Sequence, residues 1–403
     1  MNKRQHFFYT FMALLSLLLA LAMIIHPQAT FNGANNGLKT WALILIPSLL
    51  PFFIIADVMI ELGVLKFFGV LLEPLMRPVF KQPGEAGFVM AMGFTSGFPM
   101  GAILTNSLYE KNLCTKEEAS RLIAFTNNSS PLFLLVAIPV GMLHNPPLGI
   151  LLIISHYLAN IFLGVFLGFK KRKSTELFLG TSQSSLLKRS FQSFIKYNQE
   201  KPKPIGVLMG NAVKKSINNL LTIGGFVIFF AVLIEILHST NAYNIISSGF
   251  SKFLMVLGFN PQLANGLTAG FFEMTLGAKF TSEISTSLID KAMIISFILG
   301  WSGLSIQAQV TSIVSQNGIP IGNYLFGRLF QGIVAASITG FLYEPLINNL
   351  NLSTPAFSWY ILENSTIGFW AYFSFTFVAG LIALFILLIL SLLIYIGKKV
   401  FIR

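Results

Sequence analysis

Long apolar runs constrain this chain more than any other feature of its sequence. The run Leu148–Phe169 holds 22 residues without Asp, Glu, Lys or Arg, and an α-helix needs about 20 apolar residues to cross the hydrocarbon core of a bilayer. Comparable runs recur along the chain, and 54% of its 403 residues are hydrophobic whereas only 10% are charged. Soluble domains are less apolar and more charged. The sequence therefore predicts an all-α polytopic membrane protein of the cell membrane, in contact with the lipid bilayer.

Basic residues concentrate beside the apolar runs, which accounts for the formal net charge of +12 without a nucleic-acid partner. The run Leu148–Phe169 ends in a KKRK cluster, and the C-terminal run ends in Lys398 and Lys399. Lys and Arg accumulate on the cytoplasmic side of membrane proteins. We therefore expect no nucleic-acid binding, and we predict that both termini and the basic linker 170–204 are cytoplasmic.

The first apolar run extends from about Phe7 to Ile25 and follows two basic residues. A cleaved signal peptide and an uncleaved first span both begin in this way. The run is longer than the core of a typical signal peptide, which favours a retained span. A short polar, glycine-rich stretch from Phe31 to Lys39 follows it.

Two polar interruptions stand inside the apolar sequence between Gly93 and Pro131. The first reads GFTSGFPMGA and the second FTNNSSP. Irregular backbone at membrane depth survives only where protein or a water-filled cavity supplies hydrogen bonds, so the two interruptions are a candidate binding site. Between them, Thr115 and Glu118 form the T-x-x-E signature of a capping box, which predicts a helix that begins near Lys116.

The same order of features occurs a second time. With Phe53 placed on Phe230, the sequence PFFIIADVMIELG lies over IFFAVLIEILHST, and Gly93 lies over Gly270. Once three residues are dropped, FTNNSSPLF lies over LGWSGLSIQ. Such internal similarity predicts two structural repeats.

The number of membrane crossings between the predicted cytoplasmic segments, the crossing parity, determines how each repeat is oriented. The first repeat then begins on the outer side and the second on the cytoplasmic side, so the repeats are inverted. Crossing parity also makes residues 87–104 and 263–280 re-entrant helical hairpins, which enter from the cytoplasmic and the outer side respectively. Each half then holds one hairpin and one broken transmembrane helix, and the chain has about eight spans. Only four basic residues fall on the outer side: Lys39, Lys252, Lys279 and Lys291. The resulting segments are an N-terminal transmembrane helix (1–30), a first repeat with its following span (31–169), the linker (170–204), a second, inverted repeat (205–345), and an outer loop with a C-terminal transmembrane helix and basic tail (346–403).

Side chains at the interruptions are candidates for binding a small polar solute. Helix ends near the bilayer midplane expose free NH and CO groups, and the neighbouring side chains select the solute. An equally simple role for the amides is hydrogen bonding between neighbouring helices. The candidates are Thr95, Ser96, Asn127, Asn128 and Ser129 in the first half, and Glu273, Thr275, Lys279, Ser302, Ser305, Gln307 and Gln309 in the second.

Glu273 is the strongest single candidate, because an ionisable group in a membrane segment is costly unless it is paired, hydrated or protonated. It would allow coupling of transport to H⁺ or Na⁺. The alternative is a salt bridge to Lys279 or Arg328 that only holds the hairpin. Three further carboxylates in apolar runs are expected to be structural, since two of them lie near span ends: Asp57, Glu61 and Glu235.

Enzyme signatures are absent from the sequence, which has no Walker loop, H-E-x-x-H, G-x-S-x-G or Cys/His cluster. We therefore predict no enzymatic activity, no metal site and no cofactor. Cys114 is the only cysteine, so no intramolecular disulfide forms. His144 and His156 are expected to be interfacial or structural.

The sequences SGFPMGA, TKEEASRLIAFTNNSSPLF, GFFEMTLGAK and GLSIQAQVTSIVS resemble the motifs of the YlbJ-type sporulation integral membrane proteins over nearly the whole chain. The resemblance implies two copies of the Gate, or nucleoside-recognition, domain, which is similar to domains of concentrative nucleoside transporters, the ferrous-iron transporter B and the spore maturation proteins A and B. It also implies a membrane protein of endospore-forming bacteria, needed for sporulation and associated with the spore cortex. The matching positions are Gly97, Pro99, Gly101, Asn127, Asn128, Ser129, Pro131, Glu273, Gly277, Lys279, Gly303, Gln307 and Gln309. Met274 and Trp301 depart from the expected pattern.

The leading functional hypothesis is a secondary transporter or permease of a small polar solute needed for spore cortex formation. It would work by alternating access between the inverted repeats. The alternative is a non-transporting scaffold of a sporulation or cell-envelope complex, with other sporulation membrane proteins or a second copy of the chain as partners. A third hypothesis, an enzyme acting on a lipid-linked cell-wall precursor, lacks a paired catalytic motif.

Overall fold

The computed structural model describes residues 3–131, 133–169, 186–200, 204–348 and 389, and these residues form helices and connections without a strand. Short π-helical turns continue several of the helices, as at Trp41–Leu45 before α3. The α-helices are α1 Lys3–Ile25, α2 Pro27–Thr40, α3 Ile46–Glu61, α4 Val64–Leu75, α5 Ala86–Ser96, α6 Met100–Glu110, α7 Lys116–Thr126, α8 Leu148–Phe169, α9 Leu186–Glu200, α10 Ile205–Ser239, α11 Ala242–Val256, α12 Ala264–Phe272, α13 Met274–Glu283, α14 Leu288–Trp301, α15 Gly303–Ser315 and α16 Gly322–Tyr343.

The polar, glycine-rich stretch after the first apolar run is helical. It forms α2, and the chain bends by 102° between residues 10–25 and 27–43. Gly33 and Gly37 lie against α10 so closely that a methyl group on either would come within 2.7 Å of an α10 Cα atom. Glycine thus serves here for close helix packing, and α2 fastens the N-terminal helix to the centre of the molecule.

The described residues include four helices long and apolar enough to cross a membrane, or up to five if the bent pair α1 and α2 counts as one span. These four occupy residues 148–169, 205–239, 288–315 and 322–347. The predicted span at 41–65 is helical from Trp41 to Glu61 but is not one of these four, and the predicted span at 116–143 is interrupted after α7, which ends at Thr126. The predicted C-terminal span lies outside the described residues apart from position 389. The total of eight spans therefore stays a prediction.

The order of elements is the same in both halves. A long helix, a shorter helix, a pair of short helices, a broken helix and a final long helix follow one another as α3 to α8 and again as α10 to α16. The predicted capping box is present, because the Thr115 hydroxyl accepts from Glu118 N and the Glu118 carboxylate accepts from Thr115 N. It starts α7 at Lys116, as expected.

The two pairs of short helices, α5 with α6 and α12 with α13, form hairpins. Their arms have 9 to 11 residues, which corresponds to roughly 14–16 Å at 1.5 Å per residue, or about half of the bilayer core. In the first hairpin a methyl group on Gly93 would lie 3.4 Å from Gly101 Cα, and in the second a methyl group on Gly277 would lie 2.2 Å from Gly270 Cα. Glycine therefore allows both pairs of arms to lie side by side.

Segments that parity places on the same side of the membrane contact one another. Asn317 Nδ2 donates to Asn106 Oδ1 and to Glu110 Oε1, at 2.9 Å in each case, and all three residues are predicted to be cytoplasmic. At the opposite end of the molecule, residues predicted to be near the outer surface form one apolar cluster, which includes Leu143, Leu148, Leu151, Leu288, Ala292 and Leu342.

Candidate functional site

The tip of the first hairpin packs against the break that follows α7. Gly97 has φ +83°, and a methyl group there would lie 3.0 Å from Ser130 N. A methyl group on Gly93 would lie 2.0 Å from the carbonyl oxygen of Thr126, and a methyl group on Gly101 would lie 2.3 Å from the same oxygen. The glycines of the GFTSGFPMGA sequence thus bring the hairpin against the last turn of α7 and the break that follows it.

The break itself, residues 127–130, is buried apart from Ser130, which is half-buried. Asn127 and Asn128 are not exposed at all, and Ser129 is 1% exposed. The Tyr157 hydroxyl on α8 donates to Phe94 O at 2.6 Å and is 3.2 Å from Ser129 O, so one side chain binds both the hairpin and the break. The irregular backbone therefore obtains hydrogen bonds from protein groups, as a polar site at membrane depth requires.

The second half repeats this contact between a hairpin tip and a helix break. The break lies between α14 and α15 at Ser302 and Gly303, which have φ +66° and +76°. A methyl group on Gly303 would lie 2.9 Å from Phe272 O, at the tip of the hairpin α12–α13. The indole Nε1 of Trp301 donates to Phe271 O at 3.1 Å, and Gln307 Nε2 donates to Trp301 O at 3.0 Å.

Tyr324 joins the two breaks. Its hydroxyl accepts from Asn127 Nδ2 at 3.4 Å, and the Ser302 side chain lies near the same hydroxyl. Both breaks therefore meet at one phenol group, although they are far apart in the sequence.

Arg328, one turn further along α16, binds the end of α7. Its Nη1 donates to Asn127 O at 2.8 Å and its Nη2 donates to Ala124 O, while its guanidinium carbon lies 5.3 Å from the centre of the Tyr324 ring. The side chain is completely buried. Its charge faces the carbonyl end of α7, where the helix dipole favours a cation.

His156 and Gln331 complete the polar cluster on the side of α8. His156 Nε2 accepts from Ser129 N at 3.3 Å, and Gln331 Nε2 lies 3.3 Å from the same imidazole nitrogen and 3.4 Å from Asn128 Oδ1. Both side chains are buried. Residues of α7, α8 and α16 thus enclose the first break.

Many polar atoms in and around this cluster have no hydrogen-bond partner in the part of the chain that the structure describes. A buried polar atom costs free energy unless it is hydrogen-bonded to protein, water or a ligand. The cluster can therefore form additional hydrogen bonds both as an acceptor and as a donor. The buried atoms without a protein partner are Ser96 Oγ, Asn127 Oδ1, Ser129 Oγ, His156 Nδ1, Gln309 Oε1, Arg328 Nε and Gln331 Oε1.

Glu273 stands at the tip of the second hairpin and caps α13. Its carboxylate accepts from Leu276 N at 2.8 Å, and its side chain is partly exposed. Within the described part of the chain, no salt bridge joins it to Lys279 or Arg328. The structure therefore gives no support for an ion pair of Glu273 with Lys279 or Arg328.

The remaining predicted residues divide between the two hairpins and α15. Pro99 precedes α6 at the first tip, and Gln309 Nε2 is 3.4 Å from Ser305 Oγ on α15. Gly277 packs inside the second hairpin, and Lys279 is exposed. Lys279 therefore does not join the buried cluster.

The carboxylates of α3 form ion pairs away from the cluster. Asp57 Oδ1 is 3.2 Å from Lys215 Nζ, and Glu61 Oε1 is 2.5 Å from Lys111 Nζ. These pairs fasten α3 to α10 and to the end of the first hairpin, which agrees with the structural role expected for both carboxylates.

Comparison with known proteins identifies the family. The chain is 41% identical over 332 residues to the sporulation integral membrane protein YlbJ of Bacillus subtilis strain 168, which covers 82% of this chain and 81% of that protein. This chain belongs to the YlbJ family. It is also 27% identical over 118 residues to the uncharacterized protein BpOF4_10220 of Alkalihalophilus pseudofirmus, across 28% of this chain and 25% of that protein. No solved structure matches the chain.

The family model described as nucleoside recognition, Gate, matches residues 42–186 of this YlbJ-family chain. The matched segment contains the first hairpin, the break after α7 and His156. It does not contain Tyr324, Arg328 or Gln331, which reach the same break from α16. In this member of the YlbJ family, the Gate segment is thus completed by side chains from the second half.

Four residues of the cluster were not predicted as site residues: His156, Tyr324, Arg328 and Gln331. Arg328 carried a usable signal, because an arginine within an otherwise apolar run is a functional hypothesis by default. From sequence, Arg328 was expected only as a salt-bridge partner for Glu273. Tyr324 and Gln331 carry no such signal, since Tyr and Gln are ordinary residues at helix contacts in membrane proteins.

Proposed function

We propose that this protein is a secondary transporter of a small polar solute that acts during sporulation. The solute would bind where the hairpin tips and helix breaks of the two halves meet. One observation carries the proposal: the Tyr324 hydroxyl is hydrogen-bonded to the first break and lies near Ser302 of the second, inside a cluster of buried polar atoms that have no hydrogen-bond partner among the described residues. The role in sporulation rests on the name of the Bacillus subtilis relative.

The two halves would be inverted repeats that exchange access to this cluster. The repeated order of elements supports this arrangement, as do the arm lengths of the hairpins. Contacts between segments that parity assigns to the same side support the inversion. Inverted repeats with broken helices at the membrane midplane are a recurrent architecture of secondary transporters.

The cluster is closed in this conformation. Asn127, Asn128, Arg328 and Gln331 have no exposed surface. A solute therefore reaches them only when one hairpin or its neighbouring helices move, and alternating access requires such movement on each side in turn. Coupling to H⁺ or Na⁺ through Glu273 belongs to the same proposal, since this carboxylate lies at the tip of the second hairpin.

Cysteine accessibility tests the proposal without knowledge of the solute. Ser129→Cys would be placed in a Cys114→Ala background, and a membrane-impermeant thiol reagent would be applied to right-side-out and to inside-out vesicles. We expect slow labelling from both sides, because each open state exposes the break to one aqueous phase. Native Cys114 is a poor target in any case, since burial raises the pKa of its thiol to about 12.

Leu163→Cys provides the matched control, since Leu163 also lies on α8 and is completely buried, but within an apolar cluster that includes Phe80 and Phe125. It should stay unlabelled from either side. If Ser129→Cys also resists the reagent from both sides, the break never opens and the transport proposal fails. The non-transporting scaffold would then be the better account.

A further inference from the structure

The basic linker between the two halves contains an amphipathic helix, α9, that is fastened to the helical core. Asn198 Nδ2 donates to Leu62 O at 3.0 Å, and the ring of Tyr197 covers Gly63. The Phe191 ring lies 5.5 Å from the Phe67 ring of α4, edge to face. Helix α9 therefore has a defined position beside the turn between α3 and α4, rather than belonging to a wholly solvated linker.

Helix α9 has three faces. Leu186 and Ser190 are buried against the core. Residues four apart lie one above the other on a helix, so Leu187, Phe191 and Ile195 form a continuous stripe, and these side chains are 53%, 57% and 48% exposed. The third face is polar and consists of Lys188, Arg189, Gln192, Lys196 and Gln199.

Charge around the helix has one predominant sign. Residues 170–204 contain nine Lys or Arg and two Glu. A helix with an apolar stripe next to a basic face is suited to the boundary between headgroups and acyl chains, where the stripe enters the apolar layer and the basic face meets anionic lipids. The neighbouring helix α8 is long enough to span a membrane and ends at Phe169, directly before the linker.

We propose that α9 lies in the cytoplasmic leaflet interface and binds anionic phospholipids, with Leu187, Phe191 and Ile195 among the acyl chains and the basic face at the headgroups. The exposed stripe then has an apolar environment, and the linker between the two halves is held at the membrane surface. This assignment does not depend on whether the protein transports a solute.

Site-directed spin labelling of the full-length protein in lipid nanodiscs tests the assignment. Single cysteines at positions 187 to 199 would be introduced in the Cys114→Ala background, and the collision rate of each label with oxygen and with a water-soluble nickel complex would be measured. We expect oxygen accessibility to peak at 187, 191 and 195. Nickel accessibility should peak at 188, 192 and 199, with at least a severalfold difference between positions 191 and 192.

Nickel accessibility at 191 equal to that at 192 would place the stripe in water and overturn the proposal. Low accessibility to both reagents along the stripe would also overturn it, because a protein surface would then cover the helix.

Lipid composition tests the contribution of the basic residues to membrane binding. Phosphatidylglycerol added to phosphatidylcholine nanodiscs should bury position 191 more deeply. Replacement of Lys188, Arg189 and Lys196 by Gln should remove that effect, whereas an unchanged effect would exclude recognition of the anionic headgroups by α9.

Discussion

At the scale of single residues, the decisive groups are a phenol and a guanidinium on one helix. Tyr324 contacts both breaks, and Arg328 binds two carbonyl groups at the end of α7. The planar guanidinium suits this task, because it directs several N–H donors in one plane and keeps its charge. These contacts connect residues about 200 positions apart, which explains why local sequence patterns did not predict them.

Substitutions of Glu273 can separate the effect of its charge from its role as the cap of α13. Glu273→Gln retains an oxygen that accepts from Leu276 N, so the cap of α13 should persist, whereas Glu273→Ala removes the cap at a cost of about 1 kcal/mol. If the carboxylate couples transport to an ion, Glu273→Gln should abolish the formation of heat-resistant spores while the protein level stays unchanged. Complementation of a deletion strain, with immunoblots of membranes, measures both quantities. Full sporulation with Glu273→Gln would exclude the ion-coupling role.

At the scale of helices, close packing between glycine and backbone positions the site. Gly93 in α5 lies against Thr126 O at the end of α7, and the added methyl group of alanine would lie 2.0 Å from that oxygen. Since the obstacle is backbone and not a flexible side chain, the hairpin must shift away from the break.

We therefore expect Gly93→Ala to lower the free energy of unfolding by about 2 kcal/mol, as overpacking of a tight contact does. The matched control is Gly225→Ala, because Gly225 also lies within a helix, α10, but nothing is within 4 Å of the added methyl group. Thermal unfolding in detergent compares the two variants. Equal melting temperatures would show that the hairpin does not depend on this contact.

The helices also show which parts of the fold could be predicted from sequence. The T-x-x-E capping box, the helix breaks and the two short helical pairs each have a local cause in Thr, Gly, Pro or Asn residues at membrane depth, and each occurs where predicted. Helix α2 was missed, because glycine at 33 and 37 indicates a loop by local propensity but serves packing against α10. Helix α9 lies in a segment that was predicted only as a basic linker, and its three faces are distinguished once the burial of each side chain is known.

At the scale of the whole molecule, ion pairs between elements concentrate at the end predicted to be cytoplasmic. Lys66 pairs with Glu85, Arg77 with Glu118, Lys111 with Glu61, and Lys215 with Asp57. At the opposite end, the described residues show no salt bridge between elements. Lys215 connects three elements. Its Nζ pairs with Asp57 and also donates to Ser107 Oγ at 2.9 Å, so it links α10 to both α3 and the first hairpin.

This asymmetry predicts that the ion pairs keep the cytoplasmic side closed. Lys215→Met retains the length of the side chain but removes its charge, so it breaks the contacts with Asp57 and Ser107. A loss of about 1 kcal/mol, near the upper end for partly exposed pairs, would raise the cytoplasm-open population about fivefold. In the Lys215→Met variant, we expect the cysteine of Ser129→Cys to be labelled faster in inside-out vesicles by a similar factor, and no faster in right-side-out vesicles.

Lys214→Met is the matched control, since Lys214 is exposed one residue away on the same helix. An identical effect of both substitutions would attribute the change to total charge, and no effect of Lys215→Met would show that these contacts do not control the opening.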